Sequence, residues 1–257
     1  MSLLMTGVSK HFGGITAIDN VSLDLGDAPI VGLIGPNGSG KSSLFHCISG
    51  FYAPDAGEIV FEGAPLHALP PHRINQLGVV RTFQFSRVLP FMTVRDNLLA
   101  IAPGQSGERL TKVFFAPGRT RRDEERLTIE ADRILDLLKL DRLADQPAGR
   151  LSYGQQKLLE IGRVLISKPK LILLDEPTAG VNPTLIREIV AVIKKLREDG
   201  IQCFIVEHNM PLICEICERV LVMDAGSLIF DGKPDASQED PRVIEAYLGK
   251  VDDAAEG

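Results

Sequence analysis

At 257 residues, 44% hydrophobic and 24% charged, the chain can bury one full core, or one domain with a sub-domain, and is ordinary in composition for a globular protein. A formal net charge of −6 argues against a nucleic-acid-coating surface, so no nucleic-acid partner is expected. No apolar run approaches the roughly 20 residues that span a bilayer, and the first residues lack a secretory pattern. The expectation is a cytosolic protein that meets a membrane only through a partner.

Between Leu3 and Leu25, short apolar runs alternate with the turn signals Gly13-Gly14 and Asp19-Asn20. Ala17-Ile18 and Val21 to Leu25 read as strands of an antiparallel layer. Phe12 precedes them. A flat aromatic face suits a purine ring, but from the residue alone a core phenylalanine is the better reading.

The stretch Gly35-Pro36-Asn37-Gly38-Ser39-Gly40-Lys41-Ser42-Ser43 fits G-x-x-x-x-G-K-[ST], the phosphate-binding P-loop. Ile30 to Ile34 before it read as a buried strand, and Leu44, Phe45 and Ile48 after it as a helix ended by Gly50. The glycines let the backbone turn tightly and bring successive amide N–H groups towards one anion. The loop opens a helix, where free N–H groups and the helix dipole favour phosphate. Lys41 would reach the β- and γ-phosphates, and Ser42 would hold Mg²⁺ by its hydroxyl. A Gly-rich turn matching by chance is the competing reading, and it must explain the strand–loop–helix context as well. A P-loop alone does not separate kinases, GTPases, helicases and transport motors.

Pro54 to Gly57 read as a turn and Glu58 to Gly63 as an alternating strand. Leu77 to Thr82 read as a further strand, ending at Phe83-Gln84. Thr93 and Asp96 resemble a capping box opening a helix. Residues 103–126, rich in glycine, proline and charge, read as a loop or a loop entering a helix on a solvated surface. Phe114-Phe115 within them is the kind of exposed aromatic pair that marks a contact. Helical spacing runs from Leu127 through Ile134, Leu135 and Leu138 to Leu140.

Ser152 with Gln155 satisfies a second capping box, which is sufficient by itself as a helix start, with Tyr153 to Ile166 helical. A serine hydroxyl, the Gly154 amide and a helix dipole together also make a phosphate site. Leu171 to Leu174 form a buried strand that delivers Asp175 and Glu176 at its carboxyl end, where parallel α/β sheets bind ligands. Asp175 can hold Mg²⁺ through water, and Glu176 can orient or deprotonate an attacking water. The bland alternative is a solvated strand end. Asn182-Pro183 opens a helix that Gly200 ends, and Cys203 to Val206 and Val220 to Met223 are further strands. This βαβ rhythm implies an α/β fold with a mostly parallel sheet. Cys214 and Cys217 share a short helix where both can face the core, so buried thiols are expected rather than a metal site.

The ordered series of P-loop, LSYGQ and LLDE resembles an ATP-binding-cassette (ABC) ATPase along essentially the whole chain. The resemblance implies a P-loop NTPase core with an N-terminal antiparallel layer and a helical sub-domain at about 90–168, within one domain over 1–250 and an acidic tail at 251–257. It implies that Phe12 stacks on adenine, that Gln84 contacts Mg²⁺ and the lytic water, and that Glu176 is the catalytic base. Asp175 becomes the Walker B residue, Ala179 to Asn182 the D-loop, and His208 the switch histidine at the γ-phosphate. Alone, that histidine reads as a satisfied strand-end residue. Ser152, Tyr153, Gly154 and Gln155 become the signature that meets the ATP of a second, head-to-tail subunit. Tyr153 and Asn182 depart from the family's usual residues at their positions.

RTFQ, YGQQ, DEPTAGVNP and the ending Asp240 to Gly249 look like the branched-chain (hydrophobic) amino-acid uptake group. That likeness implies an ATP- and Mg²⁺-dependent subunit, peripheral at the cytoplasmic face of the inner membrane. Its implied partners are a second ATPase subunit, transmembrane permeases docked near Gln84 and Arg87 to Phe91, and indirectly a substrate-binding protein. Urea and amide importers lie close to this group. Lipopolysaccharide-export ATPases share the ending but usually carry LSGGE. A soluble ABC ATPase acting on DNA or ribosomes would be expected to carry coiled coils or two cassettes, and a P-loop kinase would leave the signature and His208 without a role.

Overall fold

Two β-sheets flanked by helices make up the computed structural model, which describes residues 3–82, 88–103 and 117–248. The first strands are β1 (Leu3–Phe12), β2 (Ile15–Asp24) and β3 (Ile30–Ile34), followed by α1 (Lys41–Ile48). Then come β4 (Ala56–Phe61), β5 (Ala64–Pro65), α2 (Pro71–Leu77) and β6 (Val79–Arg81). Three helices follow, α3 (Val94–Leu99), α4 (Pro117–Leu137) and α5 (Tyr153–Leu165). The chain continues through β7 (Leu171–Asp175), α6 (Pro183–Glu198), β8 (Gln202–Val206), α7 (Met210–Ile216), β9 (Arg219–Asp224) and β10 (Ser227–Gly232). It closes with α8 (Pro234–Glu239) and α9 (Pro241–Leu248).

The chain divides into two units. One takes in the described residues of Met1–Arg81, Lys170–Pro177 and Ile193–Gly257, and it holds both sheets. A four-stranded antiparallel sheet has the order β2-β1-β4-β5, and a six-stranded sheet the order β10-β9-β3-β8-β7-β6. In the larger sheet β9, β3, β8, β7 and β6 run parallel, with β10 antiparallel at the edge. Every residue of β3, β7 and β8 is buried, as expected of central strands covered on both faces. The expected α/β core and antiparallel layer are both present.

The other unit, Thr82–Pro169 with Thr178–Val192, is helical. Leu98, Ile134 and Leu138 converge on Gly162, where a Cβ would lie 2.6 Å from Leu138 Cδ1. Thr93 caps α3 by accepting a hydrogen bond from Asp96 N at 3.0 Å. At Ser152 both halves of the expected capping box form, with Oγ accepting from Gln155 N at 3.3 Å and Gln155 Oε1 accepting from Ser152 N at 3.0 Å.

Several expectations are corrected. Asp19-Asn20 is not a turn between strands: β2 runs through it, and Asn20 takes φ 48 beside a register shift against β1. Leu77 ends helix α2 instead of opening a strand, because Pro71 starts a helix and Gly78, at φ 99, stops it. Helix α4 begins at Pro117, ten residues before the helical spacing starts at Leu127, so 117–126 are the helical end of the stretch expected as a loop or a loop entering a helix. Cys217 is buried but Cys214 is only half-buried, so the two do not both face the core. Gln84, Arg87 and Phe114-Phe115 lie outside the described residues.

Candidate functional site

Parallel strands deliver their carboxyl ends to one edge of a sheet. β3 ends at Ile34 and runs into the P-loop; β7 ends at Asp175, followed by Glu176; β8 ends at Val206, two residues before His208. Because β3, β8 and β7 are neighbours in that order, residues 35–43, 176 and 208 meet without any long loop having to fold over. Asn37, Gly38 and Gly40 to Ser43 of that loop, with Glu176 and His208, line a cavity of about 210 Å³ together with Ile15, Thr16 and Ala17 of β2.

The loop is shaped by two close approaches. Gly35 takes φ 146, and a Cβ there would lie 2.1 Å from Met223 O; Gly40 takes φ 103, and a Cβ there would lie 2.3 Å from Ala17 O. No side chain caps α1, and a helix start of this kind suits an anion. Lys41 is buried, and its Nζ donates to Gly35 O at 2.9 Å, Pro36 O at 2.8 Å and Ser39 Oγ at 3.2 Å. Those contacts hold the ammonium at the mouth of the loop. Behind it, His46 has its Nδ1 2.5 Å from Ser42 O. Burial first, and the Arg81 charge second, lower the His46 pKa and favour the neutral ring.

Glu176 stands at φ 47, a left-handed conformation unusual for a residue with a Cβ. Its N–H donates to Val206 O at 2.9 Å, which ties the end of β7 to the end of β8. Its Oε1 lies 2.8 Å from His208 Nε2. Glu176 and His208 therefore form a bonded pair in the cavity wall.

Asp175 is placed differently. It does not line the cavity; its Oδ2 accepts from Arg81 Nη2 at 2.7 Å, with both side chains about as buried as a core residue (6% and 5% exposed). The guanidinium carbon also lies 5.7 Å from the Phe45 ring centroid. Breaking such a buried pair by removing one partner costs about 3–5 kcal/mol. Sequence reading missed Arg81. The one available signal was a charged residue ending the apolar run Leu77-Gly78-Val79-Val80.

Phe12 lies outside the cavity lining, half-exposed, edge-on to Tyr52 at 5.1 Å between ring centroids. His46 lies 4.8 Å from Tyr52 between centroids, so Tyr52 joins Phe12 to the P-loop helix. In the helical unit, a Cβ on Gly154 would lie 1.6 Å from Leu185 Cδ2, and one on Gly180 would lie 3.3 Å from Tyr153 Cε1. The signature turn thus packs directly on the D-loop. Asn182 Oδ1 accepts from Leu185 N at 3.0 Å, so Asn182 caps α6 as the sequence suggests.

Residues 18–179 match the family model described as ABC transporter, and residues 227–253 match the one described as branched-chain amino acid ATP-binding cassette transporter. The chain belongs to the ABC transporter family. It is an ATP-binding subunit of that family, and as such an ATPase. The chain is 42% identical over 257 residues to the probable branched-chain amino acid transport ATP-binding protein LivG of Archaeoglobus fulgidus, covering 100% of this chain and 99% of the relative. It is similar to the solved ADP conformation of MJ1267, an ATP-binding cassette of an ABC transporter, with TM-score 0.82, 36% identity and coverage of 97% and 99%. It is also similar to the dimeric post-hydrolysis state of the cassette MJ0796 bound to ADP and Pi, with TM-score 0.73, 26% identity and coverage of 90% and 98%. Among the described residues, no helix of this ABC subunit is long and apolar enough to cross a membrane.

Proposed function

We propose that this ABC subunit powers import of branched-chain amino acids from the cytoplasmic face of the inner membrane, bound to transmembrane permeases and working as a head-to-tail dimer. The observation that carries its ATPase site is the meeting of the P-loop, Glu176 and His208 at three adjacent strand ends around one cavity. The names of its relatives and the match of residues 227–253 support the substrate class.

In this reading the N–H groups of residues 38–43 and the Lys41 ammonium take the β- and γ-phosphates, and Phe12 takes the adenine. Mg²⁺, when bound, neutralises phosphate charge; Ser42 and Asp175 offer it oxygen donors, which suit a hard cation that draws its other ligands from phosphates and water. Glu176 accepts the proton of the attacking water, and His208 holds that carboxylate in place and faces the γ-phosphate. Gln84 would help to hold Mg²⁺ and the lytic water. Charge stabilisation and positioning supply most of the acceleration.

Ser152, Tyr153, Gly154 and Gln155 of a second copy complete the site. Ser152 Oγ already accepts a bond from Gln155 N, so its hydroxyl proton is left to donate to phosphate. A second copy of this chain or a paralogous cassette fills the partner's place equally in the scheme.

The test is reconstitution in vesicles with its cognate membrane and substrate-binding subunits. Leucine, isoleucine or valine should stimulate ATP hydrolysis and accumulate inside. Stimulation by urea or an amide, with none by these amino acids, would overturn the substrate class.

A further inference from the structure

Arg81 ends β6, an edge strand otherwise apolar, and its side chain is 5% exposed. Its fork reaches Asp175 Oδ2 at 2.7 Å and Ser49 Oγ at 3.5 Å, and its guanidinium lies against the Phe45 ring. Phe45 and Ser49 belong to α1 and its cap, so one side chain touches the strand that presents Asp175 and the helix that carries the P-loop. Stability alone does not favour this arrangement: an apolar pair of similar volume avoids the cost of desolvating both charges. Arg81 Nε, moreover, finds no acceptor among the described residues. A buried charge kept under those conditions calls for another role.

We propose that Arg81 is a positioning residue for Asp175, fixing the carboxylate from behind so that it meets the metal–nucleotide complex in one orientation. This rests on the reading of Asp175 as a metal-holding residue. A guanidinium is planar and its N–H groups diverge at fixed angles, so it sets the plane of the carboxylate it binds; an ammonium is a point charge and does not. A carboxylate has about four lone-pair sites, so bonding Arg81 through Oδ2 does not exhaust it. Partners of this kind, which touch a metal-holding group and not the metal, matter to affinity because a ligand that must first be oriented binds less tightly.

The experiment measures Mn²⁺ binding, by the loss of the free-ion paramagnetic resonance signal, to the full chain loaded with a non-hydrolysable ATP analogue. Arg81→Met and Asp175→Asn should each weaken Mn²⁺ by about 10- to 100-fold, with Arg81→Lys between them and wild type. Affinity for the analogue in EDTA should change by less than about twofold, which a general loss of structure would not allow. If Asp175→Asn weakens Mn²⁺ while Arg81→Met and Arg81→Lys bind it as wild type does, the role of Arg81 is overturned and that of Asp175 stands. If Asp175→Asn itself binds Mn²⁺ normally, the reading of Asp175 fails, and the proposal with it. Should Arg81→Met not fold, Arg81→Lys, which keeps the charge, decides: weakened Mn²⁺ in a folded protein supports the role, and wild-type affinity overturns it.

Discussion

His208 Nε2 lies 2.8 Å from Glu176 Oε1, a bond that joins the residue after β7 to the second residue after β8. Among the described residues it pairs the one carboxylate lining the cavity with the one imidazole lining it. Glu176→Gln keeps the size and an acceptor oxygen but removes the basic group. ATP hydrolysis should fall by about 10²- to 10⁴-fold, while ATP binding persists and ATP-bound dimer accumulates on a sizing column. Phosphate release at the wild-type rate would show that Glu176 is not the base.

Lys41 presents a different balance. Its ammonium satisfies Gly35 O, Pro36 O and Ser39 Oγ, and in the proposed reading it also meets the phosphates. Lys41→Ala therefore removes a ligand contact and leaves loop acceptors without their donor. We expect weaker binding of a fluorescent ATP analogue and a loss of about 1–3 kcal/mol in denaturant unfolding. Unchanged affinity in the titration would remove the P-loop from the binding site.

How much of this was legible depends on the distance over which each signal acts. β3, β7 and β8 could be read because each is a short, mostly apolar run, and the P-loop, Asp175-Glu176 and His208 stand at the strand end or one or two residues beyond it. The caps at Thr93, Ser152 and Asn182 could be read because a cap spans only three residues. β1 was harder: register shifts between Met5, Val8, Lys10 and His11 break the alternation that marks a strand. The first turns of α4 carry Arg119, Arg121, Arg122, Asp123, Glu124 and Glu125, so no apolar stripe announces a helix there. The Arg81–Asp175 pairing could not be read locally, because a charge ending an apolar run does not name its partner. Its members are 94 residues apart in sequence and meet only because β6 and β7 are neighbours.

The four thiols differ sharply in environment. Burial pushes Cys47 up to about 11 and Cys203 up to about 12, and it raises Cys217 further still. A raised pKa leaves little thiolate, the nucleophilic form. Cys214 is half-buried, with Gln238 Nε2 donating to its Sγ at 3.0 Å. Brief treatment of the folded protein with iodoacetamide in mildly alkaline buffer should therefore alkylate Cys214 first, as read by peptide mass spectrometry. Prior modification of Cys203 or Cys217 would mean that β8 or the end of α7 opens readily.

Glu176 also carries a conformational cost. It holds φ 47 immediately before Pro177, and a residue preceding proline is restricted by the ring as well as by its own Cβ. For an L-residue the left-handed region costs roughly 1–2 kcal/mol, a penalty glycine escapes. Glu176→Gly deletes the bond to His208, but His208 is 43% exposed and water replaces that partner cheaply. The relief of strain should outweigh the lost bond, so the variant should be inactive yet melt at or above the wild-type temperature, by as much as about 2–4 °C. Glu176→Ala serves as the control, since it loses the same bond but keeps the Cβ and the strain. If Glu176→Gly melts below Glu176→Ala, the left-handed conformation at this strand end carries no cost that glycine relieves, and the strain argument fails.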